Sequence, residues 1–220
     1  MMKELPIPFK GHLVRAVLAD EKTHTRRDIS RLRGFGQITE FGRSDTPGYD
    51  WHFRDSAMRW HDLRHFELLR ACPYGMLGHQ LWVRESWRAP SSCDPLPPRS
   101  ISDSEAIRFL ADETVGADPG FGKVRPSMFM PRWASRIQLE LTDVRVERLR
   151  DITRADAAAE GICFLLRDGF TGKLPDGTNI IQPHFWPEEN FGRLWQSING
   201  KESWYSSPWV WVVEFRRIEG

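Results

Sequence analysis

Glu21-Lys22-Thr23-His24-Thr25-Arg26-Arg27-Asp28 places an amine, two hydroxyls, an imidazole and two guanidinium groups within eight residues. Immediately before it, Leu13, Val14, Val17 and Leu18 repeat at helical spacing from Gly11 to Ala19, with Arg15 and Asp20 on other faces, which predicts an amphipathic helix. Thr23 to Arg27 then alternates β-branched and polar residues, the pattern of a short strand that Asp28 ends. The polar cluster therefore sits at a helix-to-strand junction. Its side chains can bind an anion or a nucleobase, or attack a carbonyl.

Other segments carry signals of comparable strength. Gln80-Leu81-Trp82-Val83-Arg84-Glu85-Ser86-Trp87 alternates as a strand, and Arg136 to Leu149 does so through Ile137, Leu139, Leu141, Val144 and Val146. Pro208 to Ile218 is almost continuously apolar, which predicts a strand buried on both faces. Thr153 is placed to cap a helix running to Glu160, with Gly161 as its stop, and Glu188 to Ile198 forms a helix through Phe191, Leu194, Trp195 and Ile198. Two further helices are expected over Ser56–Ala71, from Met58, Leu63, Phe66, Leu68 and Leu69, and over Asp103–Ala111.

Composition bounds the function. The 220 residues suffice for one sizeable core, and 31 basic against 30 acidic residues give a net charge of +1, so any anionic partner must be held by a local patch. Cys72, Cys93 and Cys163 form no CxxC pair and are odd in number, which favours a reducing, cytoplasmic setting. No window approaches the ~18 apolar residues of a membrane span, and no membrane partner is expected. Ten tryptophans spread along the chain are read as mostly packing residues. Arg31, Arg33, Arg43, Arg54, Arg59 and Arg64, interleaved with Trp51, Phe53 and Trp60, form either a nucleic-acid contact or a solvated face. His61 and His65, four residues apart, with Cys72 downstream, are weak metal candidates without a CxxC or HExxH frame, and neither metal nor other cofactor is expected.

Four segments, taken in order, resemble the ASCH domain family. Asp20 to Arg27 is similar to the family's G-x-K-T-x-T-x-R signature, departing from it at Asp20, where the signature has Gly. Gly78 to Val83 resembles its G-D-x-L-x-V strand, with His79 in place of Asp. Leu149 to Gly161, containing Asp156-Ala157-Ala158-Ala159-Glu160-Gly161, resembles its central helix, and Val212 to Phe215 its closing strand. The overlap covers about 90 of the 220 residues. Cys72-Pro73-Tyr74-Gly75 and Pro131 to Arg136 add a likeness to larger members often carried by phages and prophages.

The resemblance implies an α/β (α+β) chain, a single domain over 1–220 with a PUA-like ASCH β-barrel flanked by helices. The core spans about 5–28, 76–88, 126–163 and 207–218, with three insertions at about 29–75, 89–125 and 164–206. It also implies a nucleoside- or nucleic-acid-directed protein whose partner is a modified nucleoside, RNA or DNA. Some small bacterial members are amidohydrolases that remove an acyl group from the exocyclic amine of cytidine, and their catalytic positions match Lys22, Thr25 and Glu160. Read from the residues, Thr25 attacks, Lys22 is the base and Glu160 the acid, while Thr23, Arg27, Arg84 and Glu85 are substrate-binding candidates and Glu85 an alternative acid. Spacing alone equally allows Lys22 and Arg26 to be solvated and Thr25 to be an ordinary strand residue. A non-catalytic RNA or modified-DNA binding module is the alternative, as is a single-strand ribonuclease using His24.

Overall fold

The fold was read from a computed structural model, which describes residues 2–113, 120–170, 172–174 and 178–218. Parts of the second and third insertions, 114–119, 171 and 175–177, lie outside the described residues. The chain is mixed α/β, organised on a five-stranded sheet of order β1-β7-β10-β11-β2. These strands are β1 (Glu4–Pro8), β2 (His24–Asp28), β7 (Gln80–Arg84), β10 (Gln138–Arg148) and β11 (Trp209–Ile218).

The centre of the sheet is the antiparallel pair β10 and β11, in register from Gln138↔Ile218 to Arg148↔Trp209 with a bulge between Leu141 and Asp143. Val210, Trp211, Val212 and Val213 are all buried, so both faces of β11 are covered, as its unbroken apolar run requires. On one side β7 pairs with β10 and runs parallel to β1; on the other, β2 pairs antiparallel with β11, Thr25 opposite Val213. Among the described residues no strand pairing joins β1 to β2, so the hydrogen-bonded ladder is open and β2 keeps a free edge.

Helix α1 (Gly11–Leu18) connects β1 to β2 and buries Leu13, Val14, Ala16 and Val17 against the sheet. The turn that follows puts Asp20 at φ 58°, in the left-handed region, where an aspartate is tolerated and a glycine is unstrained. Its carboxylate accepts from the Arg217 guanidinium at 2.9 and 2.7 Å.

The first insertion builds a second sheet, of order β3-β4-β5-β6. Its strands are β3 (Arg31–Leu32), β4 (Gly36–Arg43), β5 (Trp51–Asp55) and β6 (Trp60–Leu63). The expected helix over Ser56–Ala71 is corrected here: only α2 (His65–Arg70) is helical. Asp55 accepts from the backbone N–H groups of Ala57 and Arg59, and Met58 adopts φ 65°, which closes a hairpin turn that the apolar spacing did not reveal. This sheet joins the first through Trp51 and Trp209, edge to face at 5.0 Å.

The second insertion carries β8 (Trp87–Arg88) and β9 (Arg108–Phe109) over a satellite cluster of Trp87, Ala89, Cys93, Ile101, Met130 and Ala134. Asp103–Ala111 contains no α-helix; a strand pair and a 3-10 turn take its place. Helix α3 (Arg154–Ala159) begins at Thr153, whose hydroxyl accepts from the Asp156 N–H while the Asp156 carboxylate accepts from Thr153 N–H. Gly161, at φ 92°, ends it and leads into α4 (Ile162–Arg167). Helix α5 (Pro187–Asn199) belongs to the third insertion. No helix among the described residues is long and apolar enough to cross a membrane.

The positive φ at Asp20 makes a direct prediction. Asp20→Gly is expected to fold with stability within about 0.5 kcal/mol of the parent, whereas Asp20→Val is expected to lose about 1–2 kcal/mol, because a β-branched residue is strained in that region. Urea denaturation of both variants checks this, and equal losses would contradict it.

Candidate functional site

The side chains of the Glu21–Asp28 stretch are not a solvated face. Lys22, Thr25 and Arg26 are buried, with relative exposures of 2, 4 and 4%. Lys22 Nζ donates to Glu160 Oε2 at 2.7 Å, to the Glu160 carbonyl at 3.0 Å and to the His24 carbonyl at 2.6 Å. An ammonium has three donors, and all three are used. Glu160 is itself buried, at 4% exposure.

The local chain explains why these two residues meet. The Thr23 N–H donates to the Ala159 carbonyl at 2.8 Å, and Lys22 and Glu160 form an isolated antiparallel bridge. Gly161 permits the approach, since a Cβ there would stand 3.0 Å from Ala16 Cβ and 3.3 Å from Lys22 Cβ. The C-terminal end of α3 thus docks against α1 and the start of β2.

Behind this pair lies a second charge layer. The Arg26 guanidinium reaches Glu147 at 3.0 Å and Asp156 at 3.3 Å, and its Nη1 stands 3.6 Å from Glu160 Oε1. Arg145 spans Glu147, Glu214 and Asp156, while His24 Nε2 is 3.0 Å from Glu214. Burial, followed by repulsion from Arg27 and Arg26, pushes the Lys22 ammonium below the usual lysine range, and Glu160 pulls it back up. The direction we retain is downward, because desolvation of a fully enclosed ammonium is the largest effect.

Lys22, Thr25, Arg27 and Glu160 line one cavity of about 270 Å³ along the free edge of β2. That is near the lower end of the range for small-molecule sites. The opposite wall is apolar and comes from α5 through Phe191, Leu194, Trp195 and Ile198, the i, i+3, i+4, i+7 stripe of that helix. Phe9 closes one side; Lys22 Nζ and Arg27 Cζ stand 5.5 and 5.2 Å from its ring centroid.

Helix α5 is held in place from behind. Pro187 at its first turn and the Glu189 carboxylate accepting from Trp186 N–H start it, and Asn190, fully buried, bonds the Gln182 and Phe185 backbone. The Trp204 ring lies so close to Gly192 that a Cβ there would meet it at 2.8 Å.

The remaining sequence candidates lie outside this cavity. Thr23 Oγ1 hydrogen-bonds His24 Nδ1 at 3.0 Å. The Arg84 guanidinium stacks over Trp82 at 4.5 Å and donates to the Met128 carbonyl. Glu85, 1% exposed, takes two hydrogen bonds from Arg136 at 2.9 and 3.1 Å, and Arg136 also donates to Asp112 of the second insertion; burial pushes the Glu85 carboxyl upward despite Arg136. Phe9, Arg26, Phe191 and Trp195 were not singled out as site residues by sequence. The apolar stripe of α5 was visible, but what it faces depends on the tertiary fold.

His61 and His65 do not share a helix. His61 Nε2 is 2.9 Å from the Asp55 carboxylate, and His65 Nδ1 accepts from Trp51 Nε1 at 3.2 Å. Among the described residues no group of three His, Cys, Asp or Glu could hold a metal ion. Nor is the arginine-rich insertion an uncompensated basic surface, since Arg54 pairs with Glu40 at 3.0 Å and Arg59 with Asp55 at 2.9 Å. Comparison of the chain with protein-family models, curated proteins and solved structures finds no match.

The buried pair generates a double-mutant prediction. Glu160→Leu alone leaves an unpaired buried ammonium and is expected to cost about 3–5 kcal/mol, and Lys22→Met alone a comparable amount. The double variant Lys22→Met/Glu160→Leu is expected to recover most of that loss, because the pair's desolvation cost disappears with it. Additive losses in denaturant unfolding would refute the coupling.

Proposed function

We propose that this chain is an ASCH-type protein whose five-stranded sheet is the core of a PUA-like barrel, and that its cavity acts on an acylated cytidine. The observation that carries the reading is the convergence of Lys22, Thr25 and Glu160 on one cavity. Support also comes from Asp20, which occupies the signature glycine position in a left-handed conformation. An apolar wall facing a polar strand edge suits a planar base that carries hydrogen-bonding groups on its rim.

Lys22 passes a proton to Glu160 across their 2.7 Å contact, which leaves a neutral amine and a carboxylic acid. As Thr25 Oγ attacks the acyl carbonyl, Lys22 takes the hydroxyl proton. Glu160 then protonates the exocyclic nitrogen as the C–N bond breaks, freeing cytidine and leaving an acyl ester on Thr25. Water hydrolyses that ester, releasing the carboxylic acid.

A second reading has its own observation. The fully satisfied Lys22 ammonium also suits a cavity that binds a base, in RNA or modified DNA, without turnover. Turnover separates the two.

Incubating the protein with N4-acetylcytidine and following release of cytidine is expected to show catalysis, reduced by about 10²-fold or more in Lys22→Ala and in Thr25→Ala. Because the mechanism needs the one proton that Lys22 and Glu160 share, and the pair loses it as pH rises through the downward-shifted Lys22 ionisation, kcat/KM is expected to be level near neutral pH and to fall with rising pH, below the usual lysine range. No turnover, or activity unchanged in both variants, would overturn the enzyme reading.

A further inference from the structure

The charges around the cavity do not cancel, and the surplus sits at one place. Lys22 and Glu160 neutralise each other, and the Arg26 guanidinium is held by Glu147 and Asp156. Arg27 has no such partner: among the described residues no carboxylate lies within ion-pairing distance of it. Its Nη2 donates to the Pro8 carbonyl at 2.6 Å, a neutral acceptor, and its Nε is buried without a hydrogen-bond partner. Burial lowers its ionisation from the usual arginine value, yet a guanidinium remains charged at any working pH.

The other carboxylate in the lining does not relieve this. Asp28 follows Arg27 on β2, so its side chain leaves the strand on the other face; it is exposed to solvent and makes no ion pair with Arg27. The other polar groups in the lining, Lys10, Thr25, Ser86, Ser127 and Asn199, carry no negative charge. Lys10 is also the residue that enters α1, whose first turn contains no acidic side chain.

We propose that the cavity takes its nucleoside as a nucleotide, with the phosphate seated on Arg27 beside Lys10 and the base against Phe191 and Trp195. This deepens the nucleoside-directed reading and rests on it. A guanidinium that lacks a protein anion is completed by a phosphate, which supplies charge and acceptor oxygens in the geometry that the guanidinium fork fits. The cavity volume suits one nucleotide unit rather than a duplex.

Calorimetric titration of the intact protein with cytidine, cytidine 5′-monophosphate, a short oligocytidylate and inorganic phosphate tests this. The monophosphate is expected to bind about tenfold or more tightly than cytidine at low salt, with the preference shrinking as ionic strength rises. Arg27→Gln is expected to reduce the preference to below about twofold, while Arg216→Gln, remote on the surface, keeps it. Should Arg27→Gln fail to fold, the salt dependence in the parent and the response of Arg27→Lys decide. Inorganic phosphate binding as tightly as the monophosphate would mean a bare anion site and would overturn the nucleotide assignment, and tighter oligocytidylate binding would place the same unit within a strand and support it. Equal binding of cytidine and its monophosphate, a preference that survives Arg27→Gln, or no binding of either would overturn it. Deacetylation with equal binding sinks the phosphate seat alone; an Arg27-dependent preference without deacetylation of acetylated cytidine or its 5′-phosphate sinks the hydrolase reading alone.

Discussion

The arrangement depends on the burial of one ion pair. Removing Lys22 and Glu160 from water costs several kcal/mol for each ion, and their attraction offsets this only when the remaining hydrogen-bonding capacity is met. The fold meets it on the ammonium with two backbone carbonyls, whereas Glu160 Oε1 has no hydrogen bond and only the charge of Arg26 Nη1 at 3.6 Å beside it. Those requirements fix the C-terminal end of α3 against the start of β2. They also explain the glycine at 161, where a Cβ would crowd Lys22 and Ala16. A hydrophobic pair of similar volume would hold the same elements together at lower cost, so the retention of charge here points to chemistry or recognition rather than stability.

The cavity itself is a joint product of core and insertion. β2 and α3 supply charge, and α5, reached only after a long excursion, supplies the apolar wall. Neither element alone makes a site. The electrostatic layers have an order: a Lys22–Glu160 pair of zero net charge at the cavity, a network of Arg26 and Arg145 with Glu147, Asp156 and Glu214 behind it, and Arg27 in the cavity wall with no ion-paired carboxylate among the described residues. The inner layers hold geometry, while the outer one is available to a ligand.

Much of this was legible along the chain, and the reasons differ by element. The β2, β7, β10 and β11 strands and the Thr153-to-Gly161 helix were readable because alternation, caps and stops are local properties. β1 was missed because Pro6 and Pro8 disguise a strand that survives only at a sheet edge. The Ser56–Ala71 segment misled because its apolar spacing suits a helix, while Asp55 and the turn at Met58 make a hairpin of its first half. Lys22, Thr25, Arg27 and Glu160 could be named together from the resemblance, though nothing in their spacing gives their burial. Thr23 was expected at the site from its place in the cluster, and Arg84 and Glu85 from a strand expected to line the same barrel mouth; their side chains have other partners, His24, the Met128 carbonyl and Arg136. The α5 wall was unreadable, because a helix's apolar stripe does not state what it covers.

A crystal structure of the Thr25→Ala variant bound to N4-acetylcytidine tests the central claim most directly. The account places the base between β2 and the Phe191–Trp195 face of α5, with the acyl carbonyl over position 25 and the Lys22–Glu160 pair beside it. A ligand bound elsewhere, or a base in the cavity with its acyl group pointing away from Lys22 and position 25, would contradict it.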